Sequence, residues 1–306
     1  MKKWLRVVVR LVALIVSVVL VCYLWSRMFS ADKAVTVRKI DAGVVSRGGE
    51  ELVVGCYNIA HGRGGEFGAG NRRADGKDGL LKHLQAIGKL LWEQNLDVVV
   101  LNEVDFSSSW SWRVNQAEEI AKVAGLPYVL EQRSYDMTLL FYELRFGNAV
   151  LSRYPIRDAE RIDLPAFKTH EKMFLGRKNA STCLVETPMG AVRIVPIHLE
   201  HRDEATRQAS MNVLKSAITF DNETPHLLMG DFNTAEIFPG SAELTAAEPP
   251  SFTFPSEKPD RTIDWIVTTP LISVENLKTF GGDLSDHLGL RAVVREIAID
   301  KRDGRP

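Results

Sequence analysis

The sequence predicts an α/β sandwich, because strand-like and helix-like segments alternate along it in two similar rounds. Leucine and isoleucine side chains between Leu80 and Leu91 recur at the spacing of an amphipathic helix, and the apolar run 97–102 that follows is typical of a buried strand. The alternation returns after residue 179, where two strand-like runs precede a helical segment. With 306 residues, 45% of them hydrophobic, the chain can bury one large or two small cores.

The N-terminal residues 1–27 predict a signal anchor, that is, an uncleaved transmembrane helix. Leu11 to Trp25 carries no charge, and with Val7 to Val9 it approaches the roughly 20 residues of a bilayer span. A cleaved signal peptide is the alternative, but residues 26–31 offer no clean pair of small residues for cleavage. Positive charge is slightly heavier before the span than after it, which predicts a single-pass membrane protein with its domain on the non-cytoplasmic side.

The remaining chain divides into a polar tether (28–50), one folded domain (51–298) and a C-terminal tail (299–306). Residues 62–79, rich in Gly, Arg and Asp, predict a long loop. Predicted helices cover 80–91, 113–124 and 203–218, and predicted strands lie at 97–102, near Tyr128, and at 138–142, 149–152, 179–186 and 192–198. No internal repeat or low-complexity run is visible.

Charge and cysteine content give no sign of an overall basic nucleic-acid binder or of a disulfide-stabilised scaffold. The formal net charge of -1 lacks the overall basic character of a nucleic-acid binder, although local basic patches remain compatible with it. Three cysteines do not make a disulfide framework, and Cys56 and Cys183 lie in strand-like segments where cysteine usually acts as a small hydrophobic side chain. A bridge between these two is the less favoured alternative.

Polar or ionisable side chains stand near one end of six strand-like runs. In HLLMGDFNT (226–234), Asp231 and Asn233 are two residues apart, so on extended backbone their side chains point the same way. Burying both is costly unless they are used. The other runs deliver Asn58, Glu103, His198, Asp264, Asp286 and His287. Core packing gives no reason for such a repeated pattern, which therefore predicts one polar pocket.

In this order and context, the eight polar residues resemble the endonuclease/exonuclease/phosphatase superfamily. That superfamily includes deoxyribonuclease-I-like nucleases, apurinic endonucleases, sphingomyelinases, inositol polyphosphate 5-phosphatases and deadenylases. The segments GNAVLSR (147–153) and SFTFP (251–255) extend the resemblance, which covers about residues 51–298. It implies a four-layer fold, with two packed mixed sheets flanked by helices, and a metal-dependent hydrolase of phosphoester bonds.

The ligand types indicate a hard cation. Carboxylate and amide oxygens without a cysteine cluster suit Mg²⁺ or Mn²⁺. Glu103 is the first candidate for a direct ligand, with Asn58 beside it and Asp286 as an additional ligand, directly or through water. Such an ion would neutralise phosphate oxygens and the charge that develops during transfer.

The catalytic roles follow from the resemblance. His287 and Asp264 resemble the superfamily's histidine–aspartate pair, in which the carboxylate fixes the tautomer and orientation of the imidazole. Asp231 would orient or deprotonate the attacking water, Asn233 would hold that water or a phosphate oxygen, and His198 would donate to the phosphate or protonate the leaving oxygen. The sequence leaves open which histidine is the general acid.

Three further residues are predicted to contact the substrate: His61, Asn148 and Arg177. Their alternatives are a place in a glycine-rich loop for His61, local hydrogen bonding for Asn148 and a solvated loop charge for Arg177. Arg177 is preferred to Lys178 as a phosphate clamp. Asp105 is interpreted as an ordinary turn or cap residue.

The predicted function is a membrane-anchored phosphohydrolase, with phosphodiesterase or nuclease activity ranked first. The alternative is a lipid phosphodiesterase or phosphatase, either sphingomyelinase-like or directed at phosphoinositides. A non-catalytic binding module ranks last, because Glu103, Asp231, Asp264 and His287 are all present. The expected partners are a nucleic acid or phospholipid head group as substrate and the membrane through the N-terminal helix. No obligate protein partner is evident.

Overall fold

The computed structural model of the protein describes residues 2–29, 35–43, 51–65, 75–168, 176–218, 224–239 and 241–296. Within these ranges the helices are α1 (Lys2–Phe29), α2 (Gly76–Glu93), α3 (Gln116–Ala124) and α4 (Glu204–Ala217). The strands are β1 (Val35–Lys39), β2 (Leu52–Asn58), β3 (Val98–Asp105), β4 (Tyr128–Leu139), β5 (Tyr142–Ser152), β6 (Ile156–Ile162), β7 (Ala180–Thr187), β8 (Gly190–His198), β9 (His226–Asp231), β10 (Thr245–Ala247), β11 (Asp264–Thr268), β12 (Ile272–Gly281) and β13 (Leu288–Glu296).

The strands form two mixed sheets, as predicted. The first sheet has the order β1-β4-β5-β3-β2-β13-β12, and the second has the order β10-β11-β9-β8-β7-β6. One parallel pair lies in each sheet, β2 with β3 and β8 with β9, whereas the other named pairs are antiparallel. Because the two strands of a parallel pair end at the same edge, each pair brings its last residues together.

Three apolar cores separate four layers. The middle core lies between the sheets and joins Val54 and Val100 of the first sheet to Ile194 and Met229 of the second. A second core packs α2 and α3 on the outer face of the first sheet, and a third packs α4 on the outer face of the second sheet. The predicted four-layer α/β sandwich is thereby confirmed. Cys56 and Cys183 are buried and not disulfide-bonded.

Some element boundaries differ from prediction. The prediction of one short strand at 138–142 is wrong. Strand β4 ends at Leu139, β5 begins at Tyr142, and the two strands form a long hairpin. Its turn was missed because it contains no glycine, asparagine or proline. Helix α2 begins within the predicted loop 62–79, residues 66–74 of which lie outside the described residues.

The predicted tether also contributes to the fold. Within 28–50, β1 pairs antiparallel with β4 along the edge of the first sheet. Residues 30–34 and 44–50, like the tail 299–306, lie outside the described residues. Among the described helices, α1 is long and apolar enough to cross a membrane, over Lys2–Ser26, although a signal sequence at this position would meet the same criteria.

Candidate active site

Strand register gathers the predicted polar residues at one edge of both sheets. In the second sheet, His198 at the end of β8 lies opposite Asp231 at the end of β9, which lies opposite Asp264 at the start of β11. In the first sheet, Asn58 ends β2 beside β3. His287 immediately precedes β13, which pairs antiparallel with β2 and so returns it to the same edge. The sequence therefore specifies this pocket through strand ends.

Glu103 reaches the pocket because β3 is irregular at that point. The pairing of β3 with β5 shifts between Leu101 and Val104, and Glu103 has a φ of 54°. A bulge of this kind turns a side chain away from its regular direction, and a positive φ is uncommon outside glycine. His61 and Asn233, which also border the pocket, each have a φ of 54°. Three residues that border the pocket thus have uncommon backbone conformations, a feature also found at functional sites.

The side-chain amide of Asn58 lies at the centre of the pocket. Its Nδ2 is 3.1 Å from Asp231 Oδ2, 3.3 Å from His287 Nε2 and 3.4 Å from Glu103 Oε1. Its Oδ1 accepts a hydrogen bond from the backbone N–H of Ala60, which fixes the amide orientation. An amide nitrogen has no lone pair for a cation, so in this orientation Asn58 is a hydrogen-bond donor and does not fit the predicted role of metal ligand.

His287 and Asp264 form the predicted pair. Asp264 Oδ2 lies 3.0 Å from His287 Nδ1, both side chains are buried, and the ring of Phe254 packs on the imidazole at 4.6 Å between centroids. Burial by itself lowers the pKa of His287, but Asp264, with Asp231 and Asp286, outweighs burial and raises it to about 10. The charged imidazolium is thus favoured at neutral pH, and because its Nε2 and Asn58 Nδ2 are then both donors, their 3.3 Å contact is not a hydrogen bond.

The opposite wall holds a neutral histidine and a protonatable carboxyl group. His198 Nε2 lies 3.7 Å from Asp231 Oδ2 and 3.9 Å from Glu103 Oε1. Burial and the nearby Lys178 ammonium hold the pKa of His198 well below its usual range. Burial, together with Asp264, raises the pKa of Asp231 to about 7 despite the opposing charge of His287. Asp231 can therefore exchange a proton near neutral pH.

A second histidine–carboxylate pair borders Glu103. His61 Nδ1 lies 2.9 Å from Asp105 Oδ1, and His61 Nε2 lies 3.5 Å from Glu103 Oε2. The indole N–H of Trp110 donates to the other oxygen of Asp105 at 2.7 Å. The interpretation of Asp105 as a turn or cap residue is wrong, because it is fully buried within β3. Its position two residues after Glu103, on the same strand, was the available signal.

Asn148 supports the pocket from behind. It is fully buried, where it accepts a hydrogen bond from Asn102 Nδ2 (2.9 Å) and donates one to Gln132 Oε1 (2.7 Å). Asn102 in turn accepts from the backbone N–H of Asp231 at 3.0 Å. Asn148 therefore has the local hydrogen-bonding role that was its alternative, and the side chain of Asn102 links it to the backbone of Asp231. Asn233 donates to a backbone carbonyl oxygen at 3.1 Å, and its backbone N–H bonds Asp231 Oδ1 at 2.8 Å.

The two neighbouring basic residues have different surroundings. Arg177 forms an ion pair with Asp163 at 2.6 Å. Lys178 is half-buried and donates to the carbonyl oxygen of Leu199, directly beside the pocket. Burial lowers the pKa of Lys178 even though Asp231 and other nearby carboxylates oppose that shift. The structure thus directs the ammonium of Lys178, rather than the guanidinium of Arg177, toward the pocket.

The donor set suits a hard cation. Glu103 offers a carboxylate that lies 3.5 Å from His61 Nε2, and His61 is the strongest of the nearby groups that hold its pKa below its usual range against the effect of burial. Asp286 binds Arg63 through Oδ2 at 2.7 Å, while its buried Oδ1 has no hydrogen-bond partner among the residues that the structure describes. Asp231, Asp264 and His287 lie close enough to one another to hold an ion, but Asp264 and His287 already bind each other, which leaves Glu103 and Asp286 as the candidate carboxylate donors.

Comparisons with known proteins agree with this geometry. The sequence matches the endonuclease/exonuclease/phosphatase family over residues 55–287, whereas no curated protein sequence is significantly similar to it. An endonuclease/exonuclease/phosphatase from Beutenbergia cavernae is 20% identical with a TM-score of 0.59, covering 80% of this chain and 72% of that one. An endonuclease/exonuclease/phosphatase from Bacteroides vulgatus is 17% identical with a TM-score of 0.57, covering 81% of this chain and 99% of that one. A mannosyl-6-phosphatase from Bacteroides thetaiotaomicron is 14% identical, TM-score 0.53, covering 80% and 99%. At these identities the structural likeness establishes the fold.

Proposed function

Because the chain belongs to the endonuclease/exonuclease/phosphatase family, whose members are phosphoester-hydrolysing enzymes, we propose that its pocket cleaves a phosphoester by in-line attack of an activated water. The observation that carries this proposal is the convergence of polar side chains around the amide of Asn58. Atoms of Asp231, Glu103 and His287 lie within 3.4 Å of its Nδ2, and Asp264 lies 3.0 Å from His287 Nδ1. A base, a hard-cation ligand and an imidazolium then face one reacting phosphate.

Proton transfer is assigned to Asp231 and His287. Asp231, with a pKa of about 7, takes a proton from the attacking water. His287, kept protonated by Asp264, neutralises charge on the phosphate and donates a proton to the leaving oxygen. The amide of Asn58 and the neutral imidazole of His198 hold the phosphate oxygens, and Asn233 fixes the carboxylate of Asp231 through its backbone N–H.

Glu103 and Asp286 are the residues proposed to hold Mg²⁺ or Mn²⁺. When bound, the cation supplies Lewis-acid stabilisation of the phosphate oxygens. His61, held by Asp105, fixes Glu103 from the other side. Lys178 adds positive charge at the edge of the pocket, in the role first given to Arg177.

We further propose that α1 anchors the protein in a membrane, with the catalytic domain on the non-cytoplasmic side. Protease added outside intact cells or spheroplasts should then digest the domain. Digestion only after lysis would indicate the opposite orientation, with the domain in the cytoplasm. A soluble mature form lacking the first ~30 residues would favour a cleaved signal peptide.

Hydrolysis of bis-p-nitrophenyl phosphate tests the activity. The full chain should release nitrophenol with Mg²⁺ or Mn²⁺ and stop in excess EDTA, and undiminished release in EDTA would refute the metal-dependent mechanism. A panel of single- and double-stranded DNA, RNA, sphingomyelin and phosphoinositides then separates a nuclease from a lipid phosphodiesterase. The lipid alternative gains support from the exposed apolar tip of the β4–β5 hairpin, at Leu140 and Phe141.

A further inference from the structure

The tip of the β4–β5 hairpin exposes four consecutive apolar or aromatic side chains. Leu140 is 61% exposed and Phe141 is 83% exposed, and Leu139 and Tyr142 beside them are also exposed. Single exposed hydrophobic residues need no explanation, but a contiguous run on a protruding turn marks an interaction site.

The turn itself is unfavourable for these residue types. Leu139 pairs with Tyr142, so Leu140 and Phe141 are the two central residues of a two-residue hairpin loop, and Leu140 has a φ of 53°. Such loops favour asparagine and glycine, which tolerate a positive φ. Here leucine and phenylalanine occupy these positions, and the backbone carbonyl of Phe141 is held by Arg113 at 2.7 Å. The residues of this turn therefore go against the usual sequence preference of such turns and make its tip apolar, which indicates a function for the tip.

The apolar surface continues along one face of the hairpin. Register pairs place six side chains on that face: Tyr135, Met137, Leu139, Tyr142, Leu144 and Phe146. None belongs to the three apolar cores formed by the described residues. The opposite face carries Asp136, Glu143 and Arg145, which form ion pairs with one another. The hairpin is therefore amphipathic, with its apolar face outside the core.

This apolar face ends at the candidate active site. Phe146 pairs with Asp105 across the sheet, and its ring lies 5.1 Å from the ring of His61 and 5.5 Å from that of Trp110. Phe141 lies five residues farther along the strand, about 17 Å beyond that level at 3.4 Å per residue. The tip therefore projects past the pocket from the pocket's own edge of the sheet.

Helix α1 lies against the same hairpin. Ser26, near its C-terminal end, is buried, and Cys22 and Tyr23 are half-buried, whereas the preceding turns are exposed. This helix packs against β4. Strand β1 starts with Val35 opposite Gln132 and ends with Lys39 opposite Tyr128, so the chain enters β1 from the side of the hairpin tip. The proposed membrane span therefore packs against β4, the strand that ends in the apolar tip.

We propose that the hairpin tip inserts into the bilayer beside α1 and holds the entrance of the active site against lipid head groups. An interfacial segment buries its apolar side about 5–10 Å deep, so a pocket about 17 Å from the tip lies within or just above the head-group layer. The occupant of this surface is a lipid bilayer, because the hairpin packs, through β4, against the helix proposed to span one. This inference rests on the membrane anchorage in the proposed function and deepens it.

Depth-dependent quenching in vesicles tests the proposal with the full chain. Replacing Cys22 by Ser leaves Cys56 and Cys183, both buried, so a cysteine introduced by Phe141→Cys takes an environment-sensitive fluorophore selectively. The matched control is Glu93→Cys, an exposed position just before β3, at the opposite end of the sheet from Glu103. Both proteins are reconstituted into phosphatidylcholine–phosphatidylglycerol vesicles with or without a nitroxide-labelled acyl chain.

The label at Phe141 should emit at shorter wavelength in vesicles and be quenched several-fold more than the label at Glu93. Equal quenching at the two positions would overturn the proposal. So would a blue shift that appears in lipid-free detergent and rises with protein concentration, because a second copy of the chain would then cover the tip. Turnover of bis-p-nitrophenyl phosphate by the same labelled proteins tests the proposed activity separately, since the depth measurement requires no catalysis.

Discussion

Removing the charge of Asp264 should cripple catalysis through His287. The substitution Asp264→Asn keeps the size of the side chain that lies 3.0 Å from His287 Nδ1, but removes the carboxylate that keeps the imidazole charged. Because both side chains are buried, solvent screens little of this interaction. The asparagine amide also permits the wrong tautomer of the imidazole, as expected when a carboxylate behind a catalytic histidine is neutralised.

The expected loss follows from the pKa of His287. Its rise from 6.5 to about 10 corresponds to roughly 5 kcal/mol in favour of the imidazolium. Asp264 is the strongest of the three carboxylates that raise it, through both its charge and its hydrogen bond. Neutralising the carboxylate behind a catalytic histidine lowers turnover by orders of magnitude, so kcat/KM should fall at least about 10²-fold, or roughly 3 kcal/mol at 1.4 kcal/mol per tenfold.

The assay is metal-dependent turnover of bis-p-nitrophenyl phosphate by Asp264→Asn, His287→Gln and the double variant. The double variant should lose little more than the worse single variant, because the two residues act as one unit. Asp260→Asn, which changes an exposed carboxylate in a neighbouring loop, is the control and should retain wild-type turnover. Fully multiplicative losses would refute the coupling, and near-wild-type turnover of either single variant would remove that residue from the site.

Three further predictions concern a glycine, a lysine and pH. Gly230→Ala should lower the urea midpoint of unfolding far more than Gly190→Ala. Both glycines have a positive φ, which costs an alanine about 1–2 kcal/mol. At Gly230, but not at Gly190, the added Cβ would also lie 2.2 Å from a carbonyl oxygen of β8. Equal midpoints would contradict this. Lys178→Gln should reduce kcat/KM about tenfold or more while Arg177→Gln changes it little; the reverse order would restore Arg177 as the clamp. Because burial raises the pKa of Asp231 to about 7, the base is protonated below that pH, so kcat/KM should rise with pH through about 7 and level off above it. A flat profile there would exclude Asp231 as the base.

The positions of the pocket residues at strand ends were predictable from sequence, because each apolar strand-like run stops at a polar or ionisable residue. Asn58, His198, Asp231 and Asp264 each end or begin a buried strand, and the parallel pairs carry them to one edge. The resemblance supplied the four-layer arrangement, which the alternation of segments alone left unspecified. The fold and the convergence of the main pocket residues could therefore be predicted.

Side-chain partners could not be predicted in the same way. Asp105 was dismissed because a single acid near a strand end is usually a turn residue, and only the fold brings His61 to it. Asn148 lies within a motif, but its partner Asn102 is 46 residues away in sequence. The hairpin turn was missed because local propensity opposes it. Each failure concerns contacts between distant segments.

The dependence of turnover on Mn²⁺ concentration, compared between the wild-type chain and Glu103→Gln, tests the central claim most directly. The control is Glu118→Gln, since the side chains of Glu118 and Glu103 are both 24% exposed and Glu118 pairs with Arg38 on the outer surface. Wild type and the control should saturate with Mn²⁺ and lose turnover in EDTA. Glu103→Gln should need much more Mn²⁺ and remain orders of magnitude slower. Equal metal dependence in all three proteins, or full wild-type turnover in EDTA, would contradict a cation-dependent phosphohydrolase built around Glu103.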